Sequence, residues 1–294
     1  LTILHFYKYE VVATHINYNN REESKREQLF LERWCEFNGI PLYVKSIKFI
    51  KRNTTNRTYY ELVTKNIRID FYKEVMAKEN VDCVLLAHHK DDIVENIFAN
   101  VCRGRNLLNL DVIKKHSVIY DIHFGRPMND FYKDSVYEFA HKYQVPYFKD
   151  TTPDWSVRGK YRNVIYPTIE DAFTSHVKDN LIGLSNQSNE WNKLVDMAII
   201  SPFINEWTVE ENKITFPVQK YVDYPCCFWS VVFMKMFNQF GKKCPSKKSI
   251  QSFMITIQSK ITCTNETHKM ALTNHCMCFL TNKKITIVFP KMIN

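Results

Sequence analysis

Short apolar runs alternate with longer amphipathic segments along the first third of the chain. The apolar runs cover residues 11–16, 42–47 and 84–87. Runs this short are typical of strands, because a helix needs ten or more residues with apolar positions three or four apart. Two segments of that helical kind, residues 22–38 and 57–78, lie between the runs. This alternation predicts an α/β fold with a doubly wound parallel sheet and right-handed crossovers.

The same pattern predicts which residues face the core. The first helix carries Phe30, Trp34 and Phe37 on one apolar face and is expected to end at Gly39. The run at residues 84–87 is flanked by charged residues. We therefore predict that it is a core strand of the parallel sheet.

The pattern changes after residue 117. Residues 117–124 alternate between apolar and polar positions, which predicts one strand, and residues 132–144 follow a helical pattern. Residues 168–200 predict one long or broken helix that links two domains.

The last third of the chain has a different order of elements. WTVEENKITFPV predicts strands around a turn, helices are predicted at 224–240 and 246–258, and the remainder is predicted to close as a hairpin. We therefore predict a first domain over residues 1–170, a helical linker over 171–200 and a smaller α+β domain over 201–294.

Charge and cysteine content narrow the functional classes. The formal net charge of +9 and the pI near 9.0 fit a polyanionic partner such as RNA, although a solvated lysine-rich surface gives the same values. Nine cysteines without a secretory signal predict a reduced, cytoplasmic protein rather than a disulfide framework. The longest apolar stretch, residues 226–237, contains Lys235 and is too short to cross a bilayer. We expect a soluble protein without membrane contact.

Histidines and cysteines near the end of the chain raise a zinc site as an alternative. Cys276 and Cys278 form a C-x-C pair, whereas structural zinc sites usually use pairs two to four residues apart. Alternation along a strand would instead place both thiols in the core, so we predict no metal site there.

The most informative stretch is VDCVLLAHHKDDIVENIFANVCRGR, residues 81–105. Its apolar run passes directly into His88 and His89, and an amphipathic helix follows with Asp91 and Asp92 in its first turn. The point where a parallel strand passes into its helix is the edge at which ligands bind. The stretch therefore predicts a polar site at this edge.

Glu95 lies three residues after Asp92, so the two carboxylates share one helix face. Taken alone, the two aspartates could simply cap a helix. A metal-dependent phosphohydrolase would also use His-Asp pairs, but it would normally need a second ligand cluster, and the sequence offers none that is convincing.

The whole string is more specific than its parts. HHKDDIVEN followed by Arg103-Gly104 resembles the HHxDDxxE(T/N)…RG signature of the N-type ATP pyrophosphatases, in particular the tRNA-isoleucine lysidine synthetases. The segment from His15 to Arg21 is similar to the family's H-(V/I)-(N/D)-HGLR, with Tyr18 and Asn19 in place of His-Gly. That replacement puts the local turn in question.

A second stretch, KDTTPDWSVRGKYRNVIYPTIEDA, carries a further resemblance. With Arg126-Pro127 before it, it is similar to the family's D-x-(S/T)-N-x(n)-Y-x-RN-x-(I/L)-R-x(n)-P, in which Asp150 would be the first residue. Pro153 replaces the motif's Asn, and Tyr166 replaces its second Arg. Alone, the stretch could be a solvated basic loop, but two motifs at compatible spacing rarely coincide.

The resemblance implies a PP-loop fold of the adenine nucleotide alpha hydrolase type, ATP and Mg2+ as cofactors, and tRNA and free lysine as partners, with homodimer formation left open. In such enzymes ATP adenylates a cytidine of tRNA, and the amine of lysine then displaces AMP. The implied roles are lysine recognition for Asp92 and Glu95, with Asp91 also catalytic; nucleotide binding for His15, His88 and Arg68; and tRNA binding for Arg158, Lys160 and Arg162. Arg68 could reach a phosphate only if its helix presents it to the sheet edge.

The start of the chain bears on activity. The sequence opens at Leu1 within an apolar pattern, LTILHF, which would match the helix that follows the family's pyrophosphate-binding loop, SGGxDS. The 294 residues contain no SGGxDS. We therefore interpret the chain as a fragment or as an inactive relative.

Three functions remain open from the sequence alone. The first is lysidine synthesis, the second is adenylation by a relative that uses another acceptor, and the third is RNA binding without catalysis. The chain has no C-x-x-C pair, which argues against the related cytidine thiolases and their iron-sulfur chemistry.

Overall fold

The computed structural model describes residues 1–110, 113–148, 152–263 and 266–290. The chain divides into two compact units, one formed by residues 1–105 and 110–185 and the other by residues 106–109 and 186–294. The domain limits inferred from the sequence stay predictions.

The first unit is built from short parallel strands and the helices that connect them. Its elements are α1 (Thr2–Phe6), β1 (Ala13–Asn17), α2 (Glu23–Phe37), β2 (Leu42–Ser46), α3 (Arg57–Glu79), β3 (Cys83–Leu85), α4 (Lys90–Cys102), β4 (His116–Ile119), β5 (Ile122–Gly125), α5 (Lys133–Lys142), α6 (Val157–Lys160), a π-helical turn (Tyr161–Ile165) and α7 (Tyr166–Ala172). The helix α8 (Val177–Val195) begins in this unit.

Parallel pairing confirms the predicted α/β class. Strand β1 pairs with β2, with Ala13 opposite Leu42, and β3 pairs with β5, with Cys83 opposite His123. The two pairs belong to separate small sheets among the described residues. In consequence β3 is bonded to a strand on one side only, and Leu85 is 46% exposed. The predicted strand of a parallel sheet is therefore confirmed, as Cys83–Leu85, but the prediction that it is a buried core strand is wrong.

Residues 117–124 form a hairpin rather than the single strand predicted. Strands β4 and β5 are antiparallel, and Tyr120 and Asp121 join them with φ of 53° and 64°. Two consecutive residues at positive φ are typical of the tight turns that match the twist of a hairpin. The turn has no glycine, and the alternation continues on both sides of it, so the pattern looked like one strand.

The buried face of α2 includes Trp34, as predicted, but not Phe37. Phe37 is 89% exposed, whereas Cys35 is buried in a cluster with Ala13 and Ile40. The inward stripe runs from the buried Ser24 to Cys35. The Asn17 side chain of β1 donates to the backbone carbonyl oxygen of Ser24 at 3.4 Å and to Gln28 Oε1 at 2.8 Å. Because this buried face begins with a serine, the apolar pattern of the sequence did not indicate it.

The second unit holds an antiparallel sheet with helices. It contains a 3-10 turn (Leu107–Asn109), a π-helical turn (Asp196–Ile200), α9 (Ser201–Asn205), β6 (Thr208–Glu210), β7 (Lys213–Pro217), a 3-10 turn (Gln219–Tyr221), α10 (Cys226–Gln239), α11 (Lys247–Lys260), β8 (His268–Ala271), β9 (Met277–Thr281) and β10 (Lys284–Val288). Its strand order is β6-β7-β10-β9-β8.

The core of this unit packs α10 and α11 on the sheet. Trp229, Phe233 and Phe253 are fully buried in it. Cys276 and Cys278 lie in the same core, as the alternation predicted, and burial raises the pKa of the Cys278 thiol. None of the helices in the described ranges has the length and apolar composition needed to span a membrane.

Candidate functional site

A cleft of about 1440 Å3 lies in the first unit. Four parts of the chain line it: the segment from the end of β1 to the start of α2, residues 51–57, one face of α4, and residues 152–165. In parallel α/β folds ligands bind beyond the carboxyl ends of the strands. The cleft lies beyond the carboxyl end of β1, whereas His88, His89, Asp91 and Asp92 are not among its lining residues, so the site predicted at the start of α4 stays a prediction.

The turn after β1 keeps a conformation that glycine would favour. Asn19 has φ of 50°, a left-handed conformation that asparagine adopts more readily than most other residues. Its side chain donates to Ser46 Oγ at 2.9 Å and to the carbonyl oxygen of Ile47 at 3.1 Å. Asn17 Oδ1 accepts from the Asn19 N–H at 2.9 Å. The replacement of His-Gly thus leaves a tight turn, stabilised by these bonds.

Asp91 anchors the start of α4 to its neighbours. Its Oδ1 lies 2.5 Å from Lys178 Nζ, and its Oδ2 accepts the backbone N–H of Lys133 at 2.8 Å. Burial alone would raise the pKa of Asp91, but the bonds from His89, Lys178 and Lys133 hold that pKa well below its usual range. Asp91 is thus an ionised structural anchor.

Asp92 and Glu95 converge on one guanidinium. Arg162 Nη2 lies 3.2 Å from Asp92 Oδ1, and Arg162 Nε lies 3.2 Å from Glu95 Oε2. Arg158 Nε contacts the other oxygen of Glu95 at 2.8 Å. The second oxygen of Asp92 accepts the backbone N–H of His89 at 3.1 Å, which caps α4. The carboxylate pair therefore already holds a cation.

Burial and the neighbouring arginines have opposite effects on the pKa of Glu95 in this pair. Burial raises the pKa of Glu95, while Arg158 and Arg162 oppose the rise. A buried carboxylate needs such a cationic partner to stay charged.

The two histidines of the site have lowered pKa values. Burial lowers the pKa of His88 and outweighs the opposing charge of Asp92. Burial also lowers the pKa of His15 against the charges of Glu27 and Glu32. Neutral imidazoles remain able to accept a hydrogen bond. Within the described part of the chain, the buried His15 Nε2 and His88 Nδ1 have no hydrogen-bond partner.

A glycine and a π-helical turn position Arg162. A Cβ on the buried Gly159 would clash with the carbonyl oxygen of Pro153 and lie 2.9 Å from Asp154 Cα. Residues 161–165 then form the π-helical turn that carries Arg162. Such turns inside helical segments are frequent at functional sites.

The structure brings together some of the predicted site residues. His15, Glu95 and Arg158 line the cleft. Asp92 and Arg162 join Glu95 through the ion pairs, and the tRNA-binding role of Arg162 stays a prediction.

Other predicted residues lie apart from the cleft lining. Lys160 is exposed, and Arg68 is exposed with Nη1 3.5 Å from the hydroxyl of Tyr18, which does line the cleft. Arg126 is buried and donates to the carbonyl oxygen of Lys114 at 2.7 Å. Asp150 lies outside the described residues.

Several cleft residues were not predicted from the sequence. They are the cations Lys51, Arg52, Arg57 and Arg103 and the aromatic residues Phe98, Trp155 and Tyr161. Lys51 and Arg52 follow the second predicted strand, and this position after a strand's carboxyl end could have indicated them as site residues. Arg103 belongs to the Arg103-Gly104 pair of the signature, which could have indicated it. Across the ranges that the structure describes, groups of three or more potential metal ligands are absent.

Comparisons with known proteins find similarity over most of the first unit. Residues 3–169 match the sequence model of the PP-loop domain. The bifunctional protein TilS/HprT of Listeria innocua is 29% identical over 162 residues, which is 54% of this chain and 25% of that protein. The tRNA(Ile)-lysidine synthase of Streptococcus agalactiae is 28% identical over 176 residues, covering 59% of this chain and 38% of that protein.

One further curated protein and one solved structure are also similar to this chain. The tRNA(Ile)-lysidine synthase of Bacteroides thetaiotaomicron is 27% identical over 212 residues, covering 69% of this chain and 49% of that protein. Among solved structures, the U34-tRNA thiolase NcsA from Methanococcus maripaludis is 18% identical with a TM-score of 0.48, covering 65% of this chain and 66% of that one. The matched region spans half or less of the length of these curated relatives. Because the PP-loop model covers more than half of its residues, this chain belongs to the PP-loop domain family.

Proposed function

We propose that this chain carries the site of an ATP-dependent tRNA-modifying enzyme that ligates lysine to C2 of the first anticodon cytidine of isoleucine tRNA. The observation that carries the proposal is the acidic pair of α4, in which Asp92 and Glu95 hold one guanidinium beside the cleft. Two carboxylates that bind a cation side by side are suited to the ammonium group of free lysine. The similarity to curated tRNA(Ile)-lysidine synthases supports this choice of amine.

The reaction has two steps. In the first, the C2 oxygen of cytidine attacks the α-phosphorus of ATP and pyrophosphate leaves. In the second, the amine of lysine attacks C2 after losing a proton, and AMP leaves with the oxygen. The second step needs a group that accepts a proton from the ammonium. Glu95, with its raised pKa and its place in the cleft lining, is our assignment for that group.

Membership of the PP-loop family implies that the chain uses ATP. The cleft fits this substrate, because its lining includes cations and the buried His15 Nε2, which has no hydrogen-bond partner among the described residues. Mg2+, when bound with ATP, would neutralise phosphate charge and is held largely by phosphate oxygens in such sites. The carboxylates of α4 are occupied by Lys178, Arg158 and Arg162, so we assign phosphate neutralisation in this chain to arginine and lysine side chains.

Before lysine binds, the guanidinium of Arg162 occupies the carboxylates of Asp92 and Glu95. An ammonium group can reach both carboxylates only if the guanidinium leaves them. Triphosphate or RNA phosphate is the natural acceptor for a displaced arginine, because guanidinium groups bind phosphate in a two-pronged manner. We therefore expect polyanion binding to favour lysine binding.

The proposal is tested by pyrophosphate release from the full-length gene product. The assay contains ATP, an unmodified isoleucine tRNA with a CAU anticodon, and one acceptor at a time. Release that requires both lysine and this tRNA supports lysidine synthesis. Release with sulfide or another amine would instead indicate adenylation for a different acceptor, and tRNA binding without release would indicate a non-catalytic RNA-binding protein.

A further inference from the structure

Trp155 is an unusually exposed aromatic residue of the cleft. Its side chain is 69% exposed although it lines the cleft. Tryptophan is mostly buried on average, and an exposed aromatic surface beside polar groups is typical of a binding site. The guanidinium carbon of Arg52 lies 5.7 Å from the centre of the indole ring, within the range of a cation–π contact. The pair forms a mixed aromatic and cationic surface.

The surroundings of this pair are positively charged. Lys51, Arg52 and Arg103 line the same cleft and make no salt bridge to a carboxylate anywhere in the described ranges. In contrast, Arg57 contacts Glu61 at 2.8 Å. Cations without carboxylate partners in a cleft attract an anionic ligand. The charge therefore complements a phosphate backbone.

We propose that Trp155 and Arg52 form a stacking platform for a nucleobase of single-stranded RNA, with Lys51 and Arg103 contacting the phosphates beside that base. This inference rests on the proposed function, because it specifies how the same cleft holds its RNA substrate. An aromatic ring with neighbouring cations is the general means by which proteins bind single strands. The base must also leave its stack to be modified, and a protein ring replaces the stacking that the base gives up.

The exposure of the pair favours an RNA strand over the adenine of ATP. Trp155, Arg52 and Lys51 are all exposed, so they lie at the open side of the cleft. A strand that passes across the opening contacts such residues, whereas a small nucleotide is normally held with most of its surface buried.

The test compares Trp155→Ala and Trp155→Phe with a matched control, Trp191→Ala. Trp191 is 60% exposed and does not line the cleft. Binding of a twelve-residue oligocytidylate, of an abasic chain of the same length, and of ATP is measured for each protein over a salt series. Tryptophan fluorescence gives a direct readout, because a base stacked on the indole quenches its emission.

We expect Trp155→Ala to weaken oligocytidylate binding by roughly 5- to 100-fold, the range of one base–aromatic stack. Trp155→Phe should recover part of this affinity, and the abasic chain should bind equally to all variants. The slope of affinity against salt should stay unchanged in Trp155→Ala. In Lys51→Ala the slope should fall by about 0.7 for each phosphate that the lysine neutralises in the wild-type protein.

Three results would overturn the inference. These are equal oligocytidylate binding by Trp155→Ala and Trp191→Ala, an equal weakening for the abasic chain, or a weakening confined to ATP. In each case the wild-type protein could still bind tRNA and release pyrophosphate with lysine, so the proposed function would stand. If the wild-type protein shows neither activity, the proposed function fails first.

Discussion

At the scale of single residues, the site depends on charges that are held in place by specific partners. Asp91 is an example, because its carboxylate accepts from Lys178 and from the backbone of Lys133. A hydrogen bond to a charged group typically contributes about 1.5 to 3 kcal/mol to stability. Because these bonds lower the pKa of Asp91 in the folded state, they also make the free energy of unfolding depend on pH.

We predict that Asp91→Asn lowers the free energy of unfolding by about 1.5 to 3 kcal/mol at pH 7. The folded-state pKa of Asp91 is below the unfolded value, so its contribution is fully present above about pH 5 and declines as the pH falls through about 3.9 toward the folded-state pKa. Urea unfolding at pH 7, 5 and 3.5 measures this. Asp82→Asn, at an exposed position, is the control. A difference that does not shrink toward low pH would contradict the account.

A second prediction concerns Arg162, whose guanidinium contacts the carboxylates of Asp92 and Glu95 that we assign to the amine. Arg162→Gln should tighten lysine binding measured by calorimetry without nucleotide or RNA, because the carboxylates lose their internal cation. Lys160→Gln removes an exposed charge from the same segment and should change lysine binding little. Weaker lysine binding in Arg162→Gln would show that the guanidinium supports the amine site instead of occupying it.

At the scale of elements, the segment around α6 sets the position of Arg158 and Arg162. Gly159 allows the helix to approach Pro153 and Asp154 more closely than a residue with a Cβ could. Ser156 Oγ accepts the N–H of Gly159 at 3.0 Å and caps the same short helix. This close approach is a property of the backbone, so only the folded structure reveals why a glycine stands there.

We predict that Gly159→Ala destabilises the first unit by about 1 to 3 kcal/mol, the usual range for overpacking. It should also weaken the ion pair of Arg158 with Glu95, because the backbone must shift. Gly183→Ala is the matched control, since a Cβ there meets nothing within 4 Å. Thermal unfolding of both variants measures the effect. An equal melting temperature for the two would contradict the packing argument.

Sequence patterns predicted the elements whose signals are local. The periodicity located α2, β2, α3 and α4 within a few residues. Apolar spacing and a glycine at the end of a helix are features of neighbouring residues, so the sequence shows them directly. The hairpin turn at Tyr120-Asp121 carried no such signal. The ion pairs between α4 and Arg162 join residues 67 and 70 positions apart, so spacing alone could not reveal them.

At the scale of the whole molecule, the net charge of +9 is the relevant quantity. Cations that neutralise RNA phosphates release counterions, so affinity falls steeply with salt. The cleft concentrates part of this charge where the proposed reaction takes place. We therefore expect the charge to act in tRNA binding and not only in solubility.

We predict that tRNA affinity falls log-linearly with salt, with a slope of about 0.7 to 0.9 for each phosphate contacted. Filter binding over a salt series measures the slope. Lys51→Ala and Arg103→Ala should each lower the slope by about 0.7 to 0.9, the contribution of one phosphate contact. Lys247→Ala, at an exposed site in the second unit, should leave the slope unchanged. If heparin competes as well as unmodified tRNA and the cleft variants behave as wild type, the charge serves only as a solvated surface.

The most direct test of the central claim is the lysine dependence of pyrophosphate release in Asp92→Asn and Glu95→Gln. Both changes keep the size of the side chain, and Asn can still cap α4. Losing a charged partner of an ammonium group costs about 2 to 5 kcal/mol. We expect Asp92→Asn to abolish turnover. Glu95→Gln should slow turnover, because it removes the assigned proton acceptor, and should also raise the lysine concentration needed, with ATP binding largely unchanged in both variants. Unchanged lysine dependence in both variants would contradict the assignment of the acidic pair to the amine substrate.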